Sequence, residues 1–146
     1  MEKLELTILK NLIHDEDYSR KVIPFIKLEY FDARAEEILC QEIIDFIAKY
    51  NKSITTEILD IEIQNRDDLT EQEFKDIREI LSSLTEKDIN TDWLVDATEK
   101  WCRDRAIYLA LMSSIKIADG QDENKGRDAI PSILSDALAV SFDNHI

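Results

Sequence analysis

TDWLVDATEKWCRDRAIYLALMSSIKIADG, Thr91 to Gly120, runs without proline or interior glycine and decides the fold. Its apolar residues recur at three and four positions, which predicts one helix. About 28 residues at 1.5 Å each make a rod of about 42 Å, longer than a bundle of this size needs. The first half is amphipathic. Trp93, Ala97 and Trp101 are expected on one side for core packing, with Asp96 to Lys100 and Glu99 to Arg103 as i,i+4 ion pairs worth about 0.2–0.5 kcal/mol each. The second half, RAIYLALMSSIKIADG, is apolar almost all round. At 100° per residue, Tyr108, Leu111, Met112 and Ile115 form a bulky stripe, and Ala106, Ala110 and Ser113 a neighbouring stripe of small residues. One partner helix cannot cover both.

The candidate partner within the chain follows a polar loop, DGQDENKG, Asp119 to Gly126. Asp128 is expected to cap a last helix, with Pro131 in its first turn, that carries Ile130, Ile133, Leu134, Ala137, Leu138 and Val140 to about Phe142. Residues 91–142 thus predict a long antiparallel hairpin. Either the chain buries the whole apolar surface within itself, or a second copy covers part of it in an isologous pair. The second is the working expectation, with Ala106, Tyr108, Ala110, Leu111, Met112, Ile115, Ile133, Leu134, Ala137 and Leu138 as self-association candidates.

Working back from the rod, five shorter helices are predicted for a lobe over 1–88. Leu4, Ile8, Leu9, Leu12 and Ile13 mark the first, to His14. The acids of Asp15 to Asp17 stop it and open a second from Tyr18 toward Ile26, which Pro24 makes irregular. Tyr30 and Phe31 are expected to plug into the core. Ala33 to Asn51 is the clearest helix, with Ile38, Ile43, Ile44, Phe46 and Ile47 as its stripe and Asn51 as its stop. Thr55 and Thr56 cap a helix to about Asn65 carrying Ile58, Leu59, Ile61 and Ile63. Thr70 with Glu73 forms a capping box for a helix through Phe74, Ile77, Ile80 and Leu81. The whole reads as one all-α domain, 1–146.

Composition narrows the function. Two glycines, Gly120 and Gly126, leave no GxxxxGK[ST] or GxGxxG, so no phosphate cradle is available and the chain itself is expected to take no cofactor and catalyse nothing. His14 and His145, at opposite ends, support no triad; at a helix C-terminus His14 is more simply a favourable cation. Asp119, Gln121 and Glu123 take the first, third and fifth places of a calcium loop, but Asn124 stands where the turn needs glycine and Ile130 where the bidentate glutamate belongs. No metal is expected. The formal charge is −14, and Ser53 to Lys100 alone carries fourteen acids against five bases, a surface that repels phosphate backbones and favours a basic partner. Cys40 and Cys102 lie apart from any metal or redox motif and fit a reducing compartment. With neither leader nor uninterrupted apolar span, the expected location is the cytoplasm, without membrane attachment.

ILKNLIHDEDYSRKVIPFIKLEYFDARAEEILCQEIIDFIAKYNKSIT resembles the start of the amino-terminal domain of DnaB-type hexameric replicative DNA helicases, and RAIYLALMSSIKIADG followed by AIPSILSDALAVSFDNHI resembles their T-even-like bacteriophage branch. The resemblance extends along essentially the whole chain, through packing patterns and not catalytic signatures. It implies a non-catalytic collar whose hairpins pair two by two, whose lobes close a ring hexamer, and which docks a primase and in some systems a helicase loader. It also implies a following motor domain that binds ATP and magnesium and alone contacts DNA. The chain stops at Ile146, before such a motor, and is expected to be part of a longer protein. Another class of function remains: a free-standing acidic helical adapter or inhibitor of a basic protein.

Overall fold

The computed structural model describes residues 2–142. Among them the chain forms seven α-helices, three short 3-10 turns and no strand, as the all-α reading requires. It divides into two compact units, Met1–Leu94 and Val95–Ile146. No helix among the described residues is long and apolar enough to cross a membrane.

In the first unit α1, Leu4–His14, buries Ile8, Leu9, Leu12 and Ile13 on one face, while Leu4 stays half-buried. His14 Nε2 donates to the Leu84 carbonyl at 2.9 Å, which ties the end of α1 to a residue seventy positions on. Asp15 then converts one helix into the next. Its N–H closes α1 on Asn11 O, and its Oδ1 accepts the Tyr18 N–H at 3.0 Å to open α2, Glu16–Val22. Its other oxygen accepts from the Thr91 hydroxyl at 3.0 Å. The second helix does not reach Ile26. Pro24 lacks the N–H an α-helix needs there, and the chain tightens into a 3-10 turn over Ile23–Phe25, then another over Leu28–Tyr30 that delivers Tyr30 and Phe31 into buried positions.

The third helix, α3, Arg34–Tyr50, buries Ala35, Ile38, Leu39, Cys40 and Ile43. Ile44, Phe46 and Ile47 of the predicted stripe are only half-buried, so the stripe starts earlier than its isoleucines imply. Asn51 adopts a left-handed conformation, φ 54°, and its N–H donates to Ile47 O at 2.8 Å, the αL stop that asparagine tolerates better than most residues. In α4, Thr56–Gln64, the Thr55 hydroxyl accepts the Ile58 N–H; Leu59 and Ile63 are buried, but Ile61, two residues or 200° from Leu59, is exposed. Helix α5, Glu71–Leu81, opens with the complete capping box: Thr70 Oγ1 accepts the Glu73 N–H at 3.0 Å and Glu73 Oε1 accepts the Thr70 N–H at 2.9 Å. Ile77 is its single fully buried residue. Because the box satisfies two otherwise orphaned donors, Thr70→Ala is expected to cost about 1 kcal/mol and lower the melting temperature by about 3 °C, with Thr70→Ser near neutral in the same thermal scan.

Helix α6, Thr91–Ala118, begins where Asn90 Oδ1 accepts the Trp93 N–H at 2.8 Å. It ends short of Gly120 in a Schellman arrangement: Gln121 N–H donates to Lys116 O, Gly120 N–H to Ile117 O, and Gly120 takes the φ of +73° that a side chain disfavours. The boundary between the units falls one turn inside this helix. Two expectations for α6 need correction. Lys100 pairs forward with Asp104 at 2.6 Å instead of back with Asp96, whereas Glu99 and Arg103 do pair, at 3.8 Å. Trp93 is exposed and Trp101 buried, because eight residues leave an 80° offset and not a shared face.

After the loop, Asp122 Oδ1 accepts the N–H groups of Asn124 and Lys125. Asp128 does not cap the last helix. It lies inside a 3-10 turn, Arg127–Ala129, and α7 occupies Ile130–Leu138 with no side-chain cap, ending before the expected Phe142. His145 lies outside the described residues.

Candidate self-association face

From residue 95 onward α6 has two unlike sides. Ala110, Ser114 and Ile117, spaced four and three apart, are buried, as are Thr98, Trp101 and Cys102 nearer its start. Burial pushes the Cys102 thiol up to about 12, so it stays protonated at neutral pH and acts as a small apolar group. On the other side Tyr108, Leu111, Met112 and Ile115 are 45–54% exposed, a density of large apolar side chains that solvated helix surfaces rarely carry. The small-residue stripe is therefore split. Ala110 faces inward, while Ala106 and Ser113 are half-buried flanks and Ser114 takes the inward place.

In α7, Ala137 is buried, Ile133 and Leu134 are half-buried, and Leu138 is 65% exposed. Only Leu138 among these four adds a largely solvent-facing side chain. The residues after α7 are held by two side chains of α6. Arg103 Nε donates to Val140 O at 3.0 Å, and Glu99 Oε2 accepts the Phe142 N–H at 2.6 Å and the Ser141 hydroxyl at 3.3 Å. At the other end Arg127 reaches Ala118 O at 3.2 Å.

The exposed stripe has an order that burial alone does not convey. Arg105, Tyr108, Met112, Ile115 and Asp119 follow one another at steps of three, four, three and four, the seam spacing of paired helices. Its ends carry opposite charges. The Arg105 guanidinium lies over the Tyr108 ring at 4.8 Å, which shields one face of the tyrosine and sets the cation at the margin of the apolar patch. That spacing is present in the sequence, where the apolar excess around Leu111 obscures the charged residues that bracket the seam. What such a face can do is pack against another helix.

No protein-family model matches the chain. The chain is 29% identical over 147 residues to a DnaB-like replicative helicase of Enterobacteria phage T4, an alignment that takes in 95% of this chain but only 31% of that protein's length. An all-helical chain with an exposed seam on its longest helix is thus similar, along almost its entire length, to about a third of a DnaB-like replicative helicase.

Proposed function

We propose that this chain is the non-catalytic amino-terminal domain of a DnaB-type replicative DNA helicase of the T-even-like phage branch, a primosome component that self-associates and docks a primase or helicase loader. The observation that carries the reading is the near-complete coverage of this chain by a match confined to 31% of a replicative helicase. Unwinding, with its ATP, magnesium and DNA, is assigned to a motor region outside this chain; Gly120 and Gly126 compose no phosphate cradle here. The adapter reading has the acidity in its favour and nothing else. Extending the source reading frame past the Ile146 codon separates the two: a GxxxxGK[ST] motif downstream supports the helicase reading, and a stop codon removes it.

Self-association is assigned to the α6 seam. The bonds from Arg103 and Glu99 to residues 140–142, with that of Arg127 to Ala118, favour α7 running back along α6 as an antiparallel hairpin. A second copy packing on the outer seam has two orientations. Parallel pairing sets Arg105 against Arg105 and Asp119 against Asp119. Antiparallel pairing about Met112 sets each Arg105 opposite an Asp119 and brings Tyr108 near the partner's Ile115. The charges select the antiparallel form. Burying eight half-exposed apolar side chains contributes about 8 kcal/mol against an association cost of about 4–15 kcal/mol, so the seam alone supports a weak, concentration-dependent dimer.

The orientation has its own test. Arg105→Asp and Asp119→Arg are each expected to weaken association about three- to tenfold in sedimentation equilibrium, since each substitution replaces two attractions by two repulsions. Combining them restores the wild-type constant. Failure of the combined variant to recover removes the antiparallel register.

A further inference from the structure

In the first unit the start of α1, the N-terminal turn of α3 and one face of α5 enclose an open groove of about 630 Å³. Its lining is apolar at Leu6, Ala33, Ala35 and Ile80. One wall is a row of carboxylates, Glu73, Asp76 and Glu79, three residues apart on α5 and hence neighbours on its surface. The lining also carries Lys3 and Arg34, and both are already engaged: Lys3 Nζ with Glu36 at 2.9 Å, Arg34 with Glu37 at 3.0 Å and with Glu73 at 3.6 Å. Glu36 lines the groove 2% exposed; Lys3 meets one of its oxygens, and the other, Oε1, has no hydrogen-bond partner. Four carboxylates against two committed bases leave the groove negative over an apolar lining.

We infer that this groove docks a basic amphipathic helix from a partner protein, with aliphatic side chains on Leu6 and Ile80 and lysines or arginines along Asp76 and Glu79. The inference rests on the partner-docking part of the proposed function and names the surface used. An amphipathic helix lays its apolar face on such an open groove and keeps its charged flanks at the rim, beside Asp76 and Glu79. A nucleic acid is disfavoured by the same carboxylates that attract the basic helix. The site is separate from the α6 seam, which is built from other residues of another unit.

The test uses the 146-residue chain and three synthetic helical peptides: one with leucines on one face flanked by lysines, the same peptide with glutamates for lysines, and the same with serines for leucines. At physiological salt only the first is expected to bind, with amide shifts concentrated at Leu6, Ala33 to Glu36 and Glu73 to Ser83. Asp76→Lys with Glu79→Lys weakens that binding by about tenfold or more, while the matched reversal Glu57→Lys with Glu62→Lys, on exposed positions of α4 outside the groove, changes it less than about twofold. Equal loss in both double variants, binding of the serine peptide, or no binding overturns the groove. Shifts confined to another surface overturn the groove and leave partner docking standing. The reading-frame test decides the helicase assignment independently of all these results.

Discussion

Met112→Asp with Ile115→Asp is expected to abolish the self-association proposed for this chain while leaving its helicity and melting temperature nearly unchanged. Both residues are about half exposed on α6, so a carboxylate at either position meets water in the monomer. Surface changes of this kind usually alter stability by no more than about 0.5 kcal/mol. In the proposed antiparallel pair the same substitutions place four carboxylates in a dry seam, a desolvation and repulsion cost of several kcal/mol that a marginal dimer cannot absorb. Sedimentation velocity across a concentration series, with far-UV circular dichroism on the same samples, checks both halves. Retained association moves the contact away from this stripe, and loss of helicity makes Met112 and Ile115 core residues.

Leu9→Ala is expected to give the opposite pattern, a large loss of stability. Leu9 is fully buried in α1 beside a face that continues through Ile8 and Leu12. Truncating such a side chain removes its transfer energy and leaves a cavity, together about 2–5 kcal/mol. Against a total of about 5–15 kcal/mol this is a large fraction, and it lowers the melting temperature by roughly 6–20 °C. Urea or thermal unfolding reads it directly. A change below about 1 kcal/mol would mean that the α1 face repacks around the missing atoms.

Local chemistry made much of this fold readable in advance. Thr55, the Thr70–Glu73 box and Asn51 each act through atoms within a few residues, and all three punctuate the chain as their types predict. Periodicity located α1 to its final residue and α6 almost to its end. Misreadings arose where packing overrides composition. Isoleucine content marked Ile44, Ile47 and Ile61 as core, whereas helix angle brings Ala35, Leu39 and Cys40 inward in α3 and leaves Ile61 in water. Asp128 had the right residue type for a cap at the wrong place, because the 3-10 turn before α7 shifts the start of the helix past it. The candidate face was half legible. Its ten residues were identifiable as apolar helix surface, but which of them reach solvent depends on partners far along the chain. The groove on the first unit was not legible, since it joins Lys3, Arg34 and Glu79 from three distant segments.

The bonds from Glu99 and Arg103 to residues 140–142 have a consequence for how this protein can vary. They hold residues 140–142 against the stretch of α6 that lies one to two turns past Val95, where the second unit begins. A segment closed on itself in this way can gain or lose matched turns in α6 and α7 without moving residues 140–142 away from Glu99 and Arg103. The length of that unit is then free to drift, and the three-four seam spacing is what restrains it.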